Sequence, residues 1–264
     1  MLYKPVVETS RRRALSVPPD AQLERVRAVF RAYGVRVVAV VQGSRLLGVI
    51  SRADVIRVTA TKTEALARDV ASAPRATLSP STTVAEALEK LLSLGEWYLP
   101  VVSEGDFLGF FGLEDAIEAC LSSAECSRRL EGLRVEEVMV EDYPRVLATD
   151  PLSSVWRLLT EEGYVSVPVV DEKNRIVGIV TQFDLIKKGY TRIHVESPSG
   201  PAKRPRVRSA MTRPCTYVYP HTTVREAGAL LVTRNIAGAP VARDDASRAM
   251  VGFVSRLEVA KSIL

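Results

Sequence analysis

One short pattern occurs four times along the chain, and it limits the possible folds more than any other feature. In each copy a glycine-led apolar run is followed by a carboxylate, three positions after a hydroxyl-bearing or small residue. The copies read GVISRADV (48–55), GFFGLEDA (109–116), GIVTQFDL (178–185) and GFVSRLEV (252–259). Their acidic residues Asp54, Asp115, Asp184 and Glu258 are separated by 61, 69 and 74 residues. Four units of this size would fill the 264-residue chain.

An earlier apolar run precedes each copy, which predicts two neighbouring strands in every unit. These runs read VVAVV (37–41), YLPVV (98–102), SVPVV (166–170) and GAPVA (238–242). Proline in three of them favours strand starts or edges, because proline has no N–H to donate to a ladder. The short polar segments between the two runs predict hairpin turns. Segments 82–95 and 222–235 have threonine, an early glutamate and a 3.6-residue apolar rhythm, which predicts a helix before the first strand.

Composition predicts a soluble globular protein. Hydrophobic residues make up 47% of the chain and charged residues 25%. No apolar run approaches the roughly 18 residues that span a bilayer, and the first residues lack the apolar core of a secretory signal. We therefore expect a cytoplasmic protein with no membrane contact. Scarce Asn and Gln make the composition thermophile-like.

Few residues offer catalytic or metal chemistry. The three cysteines, Cys120, Cys126 and Cys215, do not predict a disulfide framework in a chain of this length. The histidines, His194 and His221, lie far from the cysteines in sequence, so no metal site is expected. Neither histidine has an obvious catalytic partner, and the glycine-rich phosphate loops of nucleotide-hydrolysing and dinucleotide-binding proteins are absent from the sequence. We predict a non-catalytic protein without a cofactor.

The repeated unit of strand, helix, two strands and helix, with Ser/Thr-x-x-Asp after its glycine-led strand, resembles the cystathionine-β-synthase (CBS) domain. Segments 135–155 and 207–227 resemble the family's lead-in to the first helix. The resemblance implies an α/β fold in which four β-α-β-β-α repeats pair into two pseudo-twofold Bateman modules, 1–124 and 125–264. The CBS units are then 1–62, 63–124, 125–192 and 193–264, with a mobile linker at 196–206. The sequence is compatible with two arrangements: the four units close a disc within one chain, or two chains stack as a homodimer.

The same resemblance implies adenosine-containing ligands in clefts between paired units. In the family the Ser/Thr contacts phosphate and the Asp accepts hydrogen bonds from the ribose hydroxyls. The chemistry agrees, because a carboxylate offers two oxygens to a vicinal diol, and a hydroxyl at a helix start adds a donor for an anion. One helical turn separates the two side chains, so both can face one cleft. The candidate phosphate and ribose ligands are Ser51, Arg52, Asp54, Thr181, Gln182 and Asp184.

Helix capping is the alternative explanation of the repeated motif. Ser/Thr-x-x-Asp/Glu is also a capping box, which closes its own helix and binds nothing. Capping prefers Glu or Gln at the last position, whereas the first and third copies have Asp, which favours ligand binding there. The second copy has Gly112 in place of the hydroxyl and keeps only Asp115. The fourth has Ser255, Arg256 and the longer Glu258. We rank these two sites as doubtful or structural.

Clefts built across a pair of units would take walls from both. The third site is expected to use residues of its own strand and of the fourth unit, namely Ile179, Cys215, Thr216, Tyr217, Gly238 and Ala239. The first is expected to use its own strand and the second unit, namely Val49, Thr77, Leu78, Trp97 and Tyr98. Trp97 or Tyr98 could stack on a base, and packing in a core or interface is an equal alternative for both.

We therefore predict a non-catalytic adenine-nucleotide sensor that signals its ligand state to a partner protein. AMP is the first candidate ligand, followed by ADP, ATP and ligands similar to S-adenosylmethionine. The alternative is nucleic-acid binding through the basic segments 11–13 and 203–206, which the net charge of +5 permits.

Overall fold

The computed structural model describes residues 2–8, 14–58, 64–190 and 205–264. Most of the linker predicted at 196–206 lies outside these ranges. So do His194, the basic segment 11–13, and Lys203 and Arg204 of the second basic segment.

Each unit contains a helix, an antiparallel hairpin and a second helix, as the repeat predicts. The first unit comprises a 3-10 turn at Val6–Glu8, β1 (Ser16–Val17), α1 (Leu23–Tyr33), β2 (Val37–Gln42), β3 (Arg45–Ser51) and α2 (Arg52–Arg57). The second comprises α3 (Ala67–Val70), α4 (Val84–Leu94), β4 (Tyr98–Ser103), β5 (Asp106–Gly112), α5 (Leu113–Leu121) and α6 (Ala124–Glu131). The third comprises α7 (Val135–Val138), β6 (Val146–Leu147), α8 (Leu152–Thr160), β7 (Ser166–Val170), β8 (Ile176–Thr181) and α9 (Gln182–Lys187). The fourth comprises α10 (Val207–Ala210), α11 (Val224–Thr233), β9 (Gly238–Ala242), β10 (Met250–Ser255) and α12 (Arg256–Lys261).

Helix α4 shows why these segments are helical. The Thr83 hydroxyl accepts a hydrogen bond from the Glu86 N–H at 3.3 Å, and the Glu86 carboxylate accepts one from the Thr83 N–H at 2.8 Å. This capping box satisfies N–H groups that have no partner within the helix. Gly95, at φ 67°, ends the helix in the left-handed conformation that glycine adopts without strain. The same box, Thr223 with Glu226, begins α11.

Hairpins of the first and second units join into one sheet with the strand order β1-β2-β3-β5-β4. The junction is a single antiparallel pair, Arg45 opposite Asp106. The third and fourth units form a three-stranded sheet, β6-β7-β8, and a two-stranded sheet, β10-β9. A bridge from Arg175 to Ala249 links these two sheets. Strand contacts therefore pair the first unit with the second and the third with the fourth.

The lead-in segments strengthen this pairing, because each packs on the other unit of its pair. The Val6 N–H donates to the Thr82 carbonyl at 2.8 Å, and the Ala67 N–H donates to the Ala21 carbonyl at 2.7 Å. In the second pair, the Val135 N–H donates to Thr222 and the Val207 N–H donates to Asp150, both at 2.9 Å. Separating the units of either pair would therefore break backbone hydrogen bonds made by the lead-in segments of both units.

Helix packing joins units of different pairs, the first with the third and the second with the fourth. One apolar core combines residues of the first and third units, where α1 and α2 pack against α9. A second core combines the second and fourth units, where α11 and α12 pack against α5. Each helix buries one apolar stripe, so the stripes must meet across modules once the strands have paired within them. The four units thus form a closed ring within one chain.

Two further features concern the cysteines and the membrane. Cys120, at the end of α5, and Cys126, in α6, form a disulfide, which was not predicted from the sequence. The two helices are joined by a tight turn that brings these Cα atoms to 5.2 Å, within the normal range for a disulfide. No helix in the described ranges is long and apolar enough to cross a membrane.

Candidate functional site

Each cleft is named here by the unit whose Ser/Thr-x-x-Asp/Glu segment, or its equivalent, lies in it. Cleft three is a cavity of about 600 Å³ that contains both Thr181 and Asp184. Four of the expected wall residues line it: Ile179, Cys215, Thr216 and Gly238. Its volume lies within the roughly 300–1,000 Å³ typical of small-molecule sites.

The Asp184 carboxylate forms part of the wall of cleft three. One of its oxygens accepts hydrogen bonds from the N–H and the hydroxyl of Thr181, at 2.8 and 2.7 Å. The other accepts one from the Thr212 hydroxyl at 2.5 Å. A carboxylate has about four acceptor positions, so one remains after these three bonds. Asp184 is both the cap of α9 and a wall of the cavity, so capping and ligand contact are compatible here.

Cleft one is a cavity of about 630 Å³ that contains Ser51 and Asp54. Val49, Trp97 and Tyr98 line it, as expected for walls shared by two units. One oxygen of Asp54 accepts hydrogen bonds from the N–H and the hydroxyl of Ser51, at 2.8 and 2.6 Å. The other lies 3.8 Å from Nη1 of Arg57.

Two candidate ligand residues lie in each other's cleft. Arg52, which follows Ser51, lines cleft three, and Gln182, which follows Thr181, lines cleft one. The reason is the packing of α2 against α9, which directs the first side chain of each helix across the module boundary. Arg256 crosses in the same way from the fourth unit to a cavity beside Asp115 of the second.

Arg52 is a buried cation, only 6% exposed. Its Nε donates to the Val35 carbonyl at 2.8 Å, and its Nη2 donates to the Gly34 carbonyl at 2.7 Å. The guanidinium also stacks on the Phe183 ring, 5.0 Å from its centroid. Burial, with the repulsion of nearby Arg36 next in size, lowers the pKa of Arg52 to about 9. The group therefore carries its charge at neutral pH.

Four expected wall residues lie outside the two large cavities. The Tyr217 hydroxyl donates to Asp245 at 3.0 Å, and Ala239 is buried in the core of the second and fourth units. Leu78 belongs to that same core. Thr77 is exposed, and its carbonyl accepts a hydrogen bond from Lys90 at 3.0 Å. Alternation along β9 explains the placement of Ala239, because it follows the wall residue Gly238 and points away from the cavity.

Cleft two is largely filled by side chains. A Cβ atom on Gly112 would lie 2.5 Å from two ring atoms of Tyr98, so the missing hydroxyl reflects the position of this ring. Asp115 accepts a hydrogen bond from the Gly112 N–H at 2.8 Å and lines a cavity of only about 240 Å³. In that cavity Arg256 pairs with Glu114 at 3.2 Å.

Cleft four is filled by an aromatic ring. Val140 and Thr212 make equivalent bridges, to Phe253 and Ile179, so Tyr143 and Cys215 stand at equivalent positions three residues further on. The Tyr143 ring stacks on Phe253 where cleft three has the small Cys215. Glu258 accepts a hydrogen bond from the Ser255 N–H at 2.9 Å, and the Ser255 hydroxyl accepts one from the Leu257 N–H at 3.0 Å. Both therefore cap α12.

Several cleft residues were not identified from the sequence. Cleft three is also lined by Thr212, Arg31, Arg36, Lys187 and Arg234. Arg36 lines cleft one as well, and burial lowers the pKa of Arg36. A sequence signal did exist for Arg36, because it directly precedes an apolar strand where the other units have Trp97, Val165 and Ala237. In the described ranges, no group of three or more His, Cys, Asp or Glu could hold a metal ion.

Four repeated units in a closed ring, with ligand-sized cavities at their paired strand ends, define the class of fold and site. The chain belongs to the CBS domain family, whose model matches residues 6–60, 67–122, 135–190 and 207–264. This confirms the resemblance and the four tandem copies. The exact unit boundaries at 62/63, 124/125 and 192/193 stay predictions.

Individual relatives are distant. The chain is 26% identical over 201 residues to the uncharacterised protein MJ1225 of Methanocaldococcus jannaschii, a match that covers 70% of each chain. The crystal structure of MJ1225, described as a candidate archaeal homologue of γ-AMPK, superposes with a TM-score of 0.83 at 19% identity, covering 98% of this chain and 100% of that one. A second M. jannaschii protein, MJ1404, is 23% identical over this whole chain, which spans 62% of its length. Inosine-5′-monophosphate dehydrogenase of Korarchaeum cryptofilum is 24% identical over 70% of this chain and 40% of the enzyme.

Proposed function

We propose that the chain is a non-catalytic regulatory protein that binds adenosine nucleotides, first in cleft three and second in cleft one. One observation carries the proposal. A cavity of about 600 Å³ is lined by the hydrogen-bonded Asp184 carboxylate and Thr181 hydroxyl and by the buried, charged guanidinium of Arg52. A ligand with a diol and a negatively charged group would satisfy both kinds of partner.

The proposed contacts follow from the donors and acceptors present. Asp184 accepts hydrogen bonds from the ribose hydroxyls, which requires the Thr212 hydroxyl to turn and release one carboxylate oxygen. Ile179, Cys215 and Gly238 offer apolar or small surfaces to the base. Arg52 takes the phosphate, and Thr181 joins it once its hydroxyl turns away from the Asp184 carboxylate. AMP is the smallest adenosine nucleotide that uses all of these groups, and ADP, ATP or a ligand similar to S-adenosylmethionine would share its adenosine contacts.

A sensing role is favoured over catalysis by the chemistry of the cavity walls. The thiol in cleft three, Cys215, is a poor nucleophile because burial raises its pKa to about 12. Ligand in cleft three would touch three units, since Arg52 comes from the first and Cys215 from the fourth. A state of the ring that binds ligand better would be favoured by it, and a partner protein could detect that state. Such a role, which we place in the cytoplasm, is consistent with the description of MJ1225 as a candidate homologue of γ-AMPK.

The test is calorimetric titration with AMP of the wild-type protein and of Asp184→Ala. Hydrogen bonds to a charged group contribute roughly 1.5–3 kcal/mol, so affinity at cleft three should fall about tenfold to a hundredfold. Glu258→Ala is the matched control, because Glu258 caps α12 at the equivalent position in filled cleft four. It should lower the melting temperature and leave AMP affinity unchanged. An AMP affinity at cleft three that is equal in all three proteins, or no AMP binding to the wild type, would refute the proposal.

A further inference from the structure

Clefts one and three exchange one side chain each, and the two exchanged side chains differ in charge. Arg52 leaves its own unit to line cleft three, and Gln182 leaves its own unit to line cleft one. Both donate to carbonyl groups at the end of the preceding helix of their own unit, Arg52 to Gly34 at 2.7 Å and Gln182 to Leu159 at 2.9 Å. The two positions are therefore equivalent, and the exchange adds a positive charge to one cleft only.

The charge of Arg52 has no direct ion-pair partner among the described residues, and Asp184 in the same cleft attracts it only at longer range. Its hydrogen-bond acceptors are neutral carbonyl groups, and no carboxylate of the described residues forms an ion pair with it. Buried charges in proteins are normally paired, because the desolvation of an unpaired charge is unfavourable. An arginine that is 6% exposed and borders a cavity therefore indicates an anionic ligand in that cavity.

The remaining walls of cleft three increase the imbalance. Five cationic side chains line it, against the single carboxylate of Asp184: Arg31, Arg36, Arg52, Lys187 and Arg234. Arg31 is ion-paired with Glu24, outside the cavity. Within the described ranges, the other four form no ion pair with a carboxylate. This is more positive charge than one phosphate group needs.

Cleft one is nearly balanced by comparison. Three cationic side chains line it, Arg36, Arg57 and Arg75, against the carboxylates of Asp54 and Glu96. Two of the three cations already have partners. Arg57 lies 3.8 Å from Asp54 and donates to the Thr160 carbonyl, and Arg75 pairs with Glu96 at 3.1 Å.

We propose that the two clefts divide adenosine ligands by charge. Cleft three selects an adenosine di- or triphosphate, and cleft one selects an adenosine ligand with one phosphate or none. Arg52 and Gln182 are the residues that set this difference. The inference rests on the proposed function and deepens it, since it assigns a ligand class to each cleft. Its physical basis is that each added phosphate brings negative charge that cleft three can pair and cleft one cannot.

The test isolates one cleft at a time. Asp54→Ala weakens binding in cleft one, so titration of this protein measures the affinity of cleft three. Asp184→Ala weakens binding in cleft three, so its titration measures the affinity of cleft one. Each protein is titrated with adenosine, AMP, ADP and ATP in EDTA, so that no divalent cation masks the phosphates. In the Asp54→Ala protein, ADP and ATP should bind at least about tenfold more tightly than AMP, and this ratio should shrink as salt rises. In the Asp184→Ala protein, AMP should bind at least as tightly as ATP.

A second set of variants gives each of the two positions, 52 and 182, the residue found at the other. Adding Arg52→Gln to Asp54→Ala should reduce the ATP-to-AMP affinity ratio at cleft three to within about threefold. Adding Gln182→Arg to Asp184→Ala should raise that ratio at cleft one. If Arg52→Gln fails to fold, Lys187→Gln with Arg234→Gln changes two exposed side chains of the same wall and should lower the ratio at cleft three.

The outcomes separate the two proposals. If none of the four ligands binds any of these proteins, the proposed function is wrong. If all four bind with equal affinity, or if Arg52→Gln folds and keeps the preference for ATP, adenosine binding stands and the charge division is overturned. A preference for ATP at both clefts would also overturn it.

Discussion

The ring of Tyr143 stacks on the ring of Phe253, with centroids 4.0 Å apart and planes inclined by 12°. The Tyr143 hydroxyl also donates to the Ser166 carbonyl at 3.0 Å. In the equivalent place of cleft three stands Cys215, whose side chain is far smaller. Two differences between equivalent positions, Tyr143 for Cys215 and Phe253 for Ile179, thus separate a filled cleft from an open one.

Replacing Tyr143 with alanine should therefore destabilise the protein. The change removes the stacked ring and leaves the Ser166 carbonyl without this donor, so we expect a loss of about 2–3 kcal/mol in the free energy of unfolding. Denaturant unfolding measures it. Tyr3→Ala is the control, because Tyr3 is 87% exposed and should have almost no effect. Equal stability of both variants would show that the ring does not support cleft four.

Restoring the missing hydroxyl of the second unit should not restore a site. In Gly112→Ser the new Cβ would lie 2.5 Å from the Tyr98 ring, so the backbone or the ring must move. Overpacking of this kind costs about 1–3 kcal/mol. A double-mutant cycle with Tyr98→Ala, followed by thermal melting, should show that most of this loss disappears when the ring is absent. Additive losses would contradict the steric explanation.

The buried ion pair in cleft two should be sensitive to the loss of one partner. Arg256 is 1% exposed and lies 3.2 Å from Glu114. Arg256→Met removes the positive charge and leaves the partly buried carboxylate without it, which should destabilise the protein by about 3 kcal/mol. Arg75→Met is the control, since the Arg75–Glu96 pair is more exposed and should contribute less than about 1 kcal/mol. Chemical denaturation compares the two, and equal effects would contradict the prediction.

The Cys215 thiol should react slowly with alkylating reagents. Burial raises its pKa to about 12, so at pH 8.5 the reactive thiolate is roughly a thousandfold rarer than for a free cysteine. The rate of labelling by iodoacetamide should rise about tenfold for each unit of pH below the pKa, while glutathione levels off near its own lower pKa. Mass spectrometry follows the modified peptide. A rate at pH 8.5 equal to that of glutathione would contradict the raised pKa.

Much of the local structure follows from neighbouring residues and could be predicted. Thr83 with Glu86, and Thr181 with Asp184, begin helices at the expected positions, because a capping box involves only residues three apart. The hairpins follow from two apolar runs and a polar link. The four copies of this pattern were sufficient to recognise the unit, and they also identified Thr181 and Asp184 as residues of one cleft.

The composition of each cleft depends on contacts between distant parts of the chain. Arg52 follows Ser51 in the sequence but lines the cleft of Thr181, because apolar stripes of the first and third units meet and direct helix α2 across the ring. Tyr143 of the third unit fills cleft four for the same kind of reason, whereas Tyr98 covers Gly112 as its cross-strand partner within one hairpin. The local sequence pattern determines which side chains begin a helix. The packing of whole units determines which cavity those side chains reach, and residues close together in sequence carry no information about which units pack together.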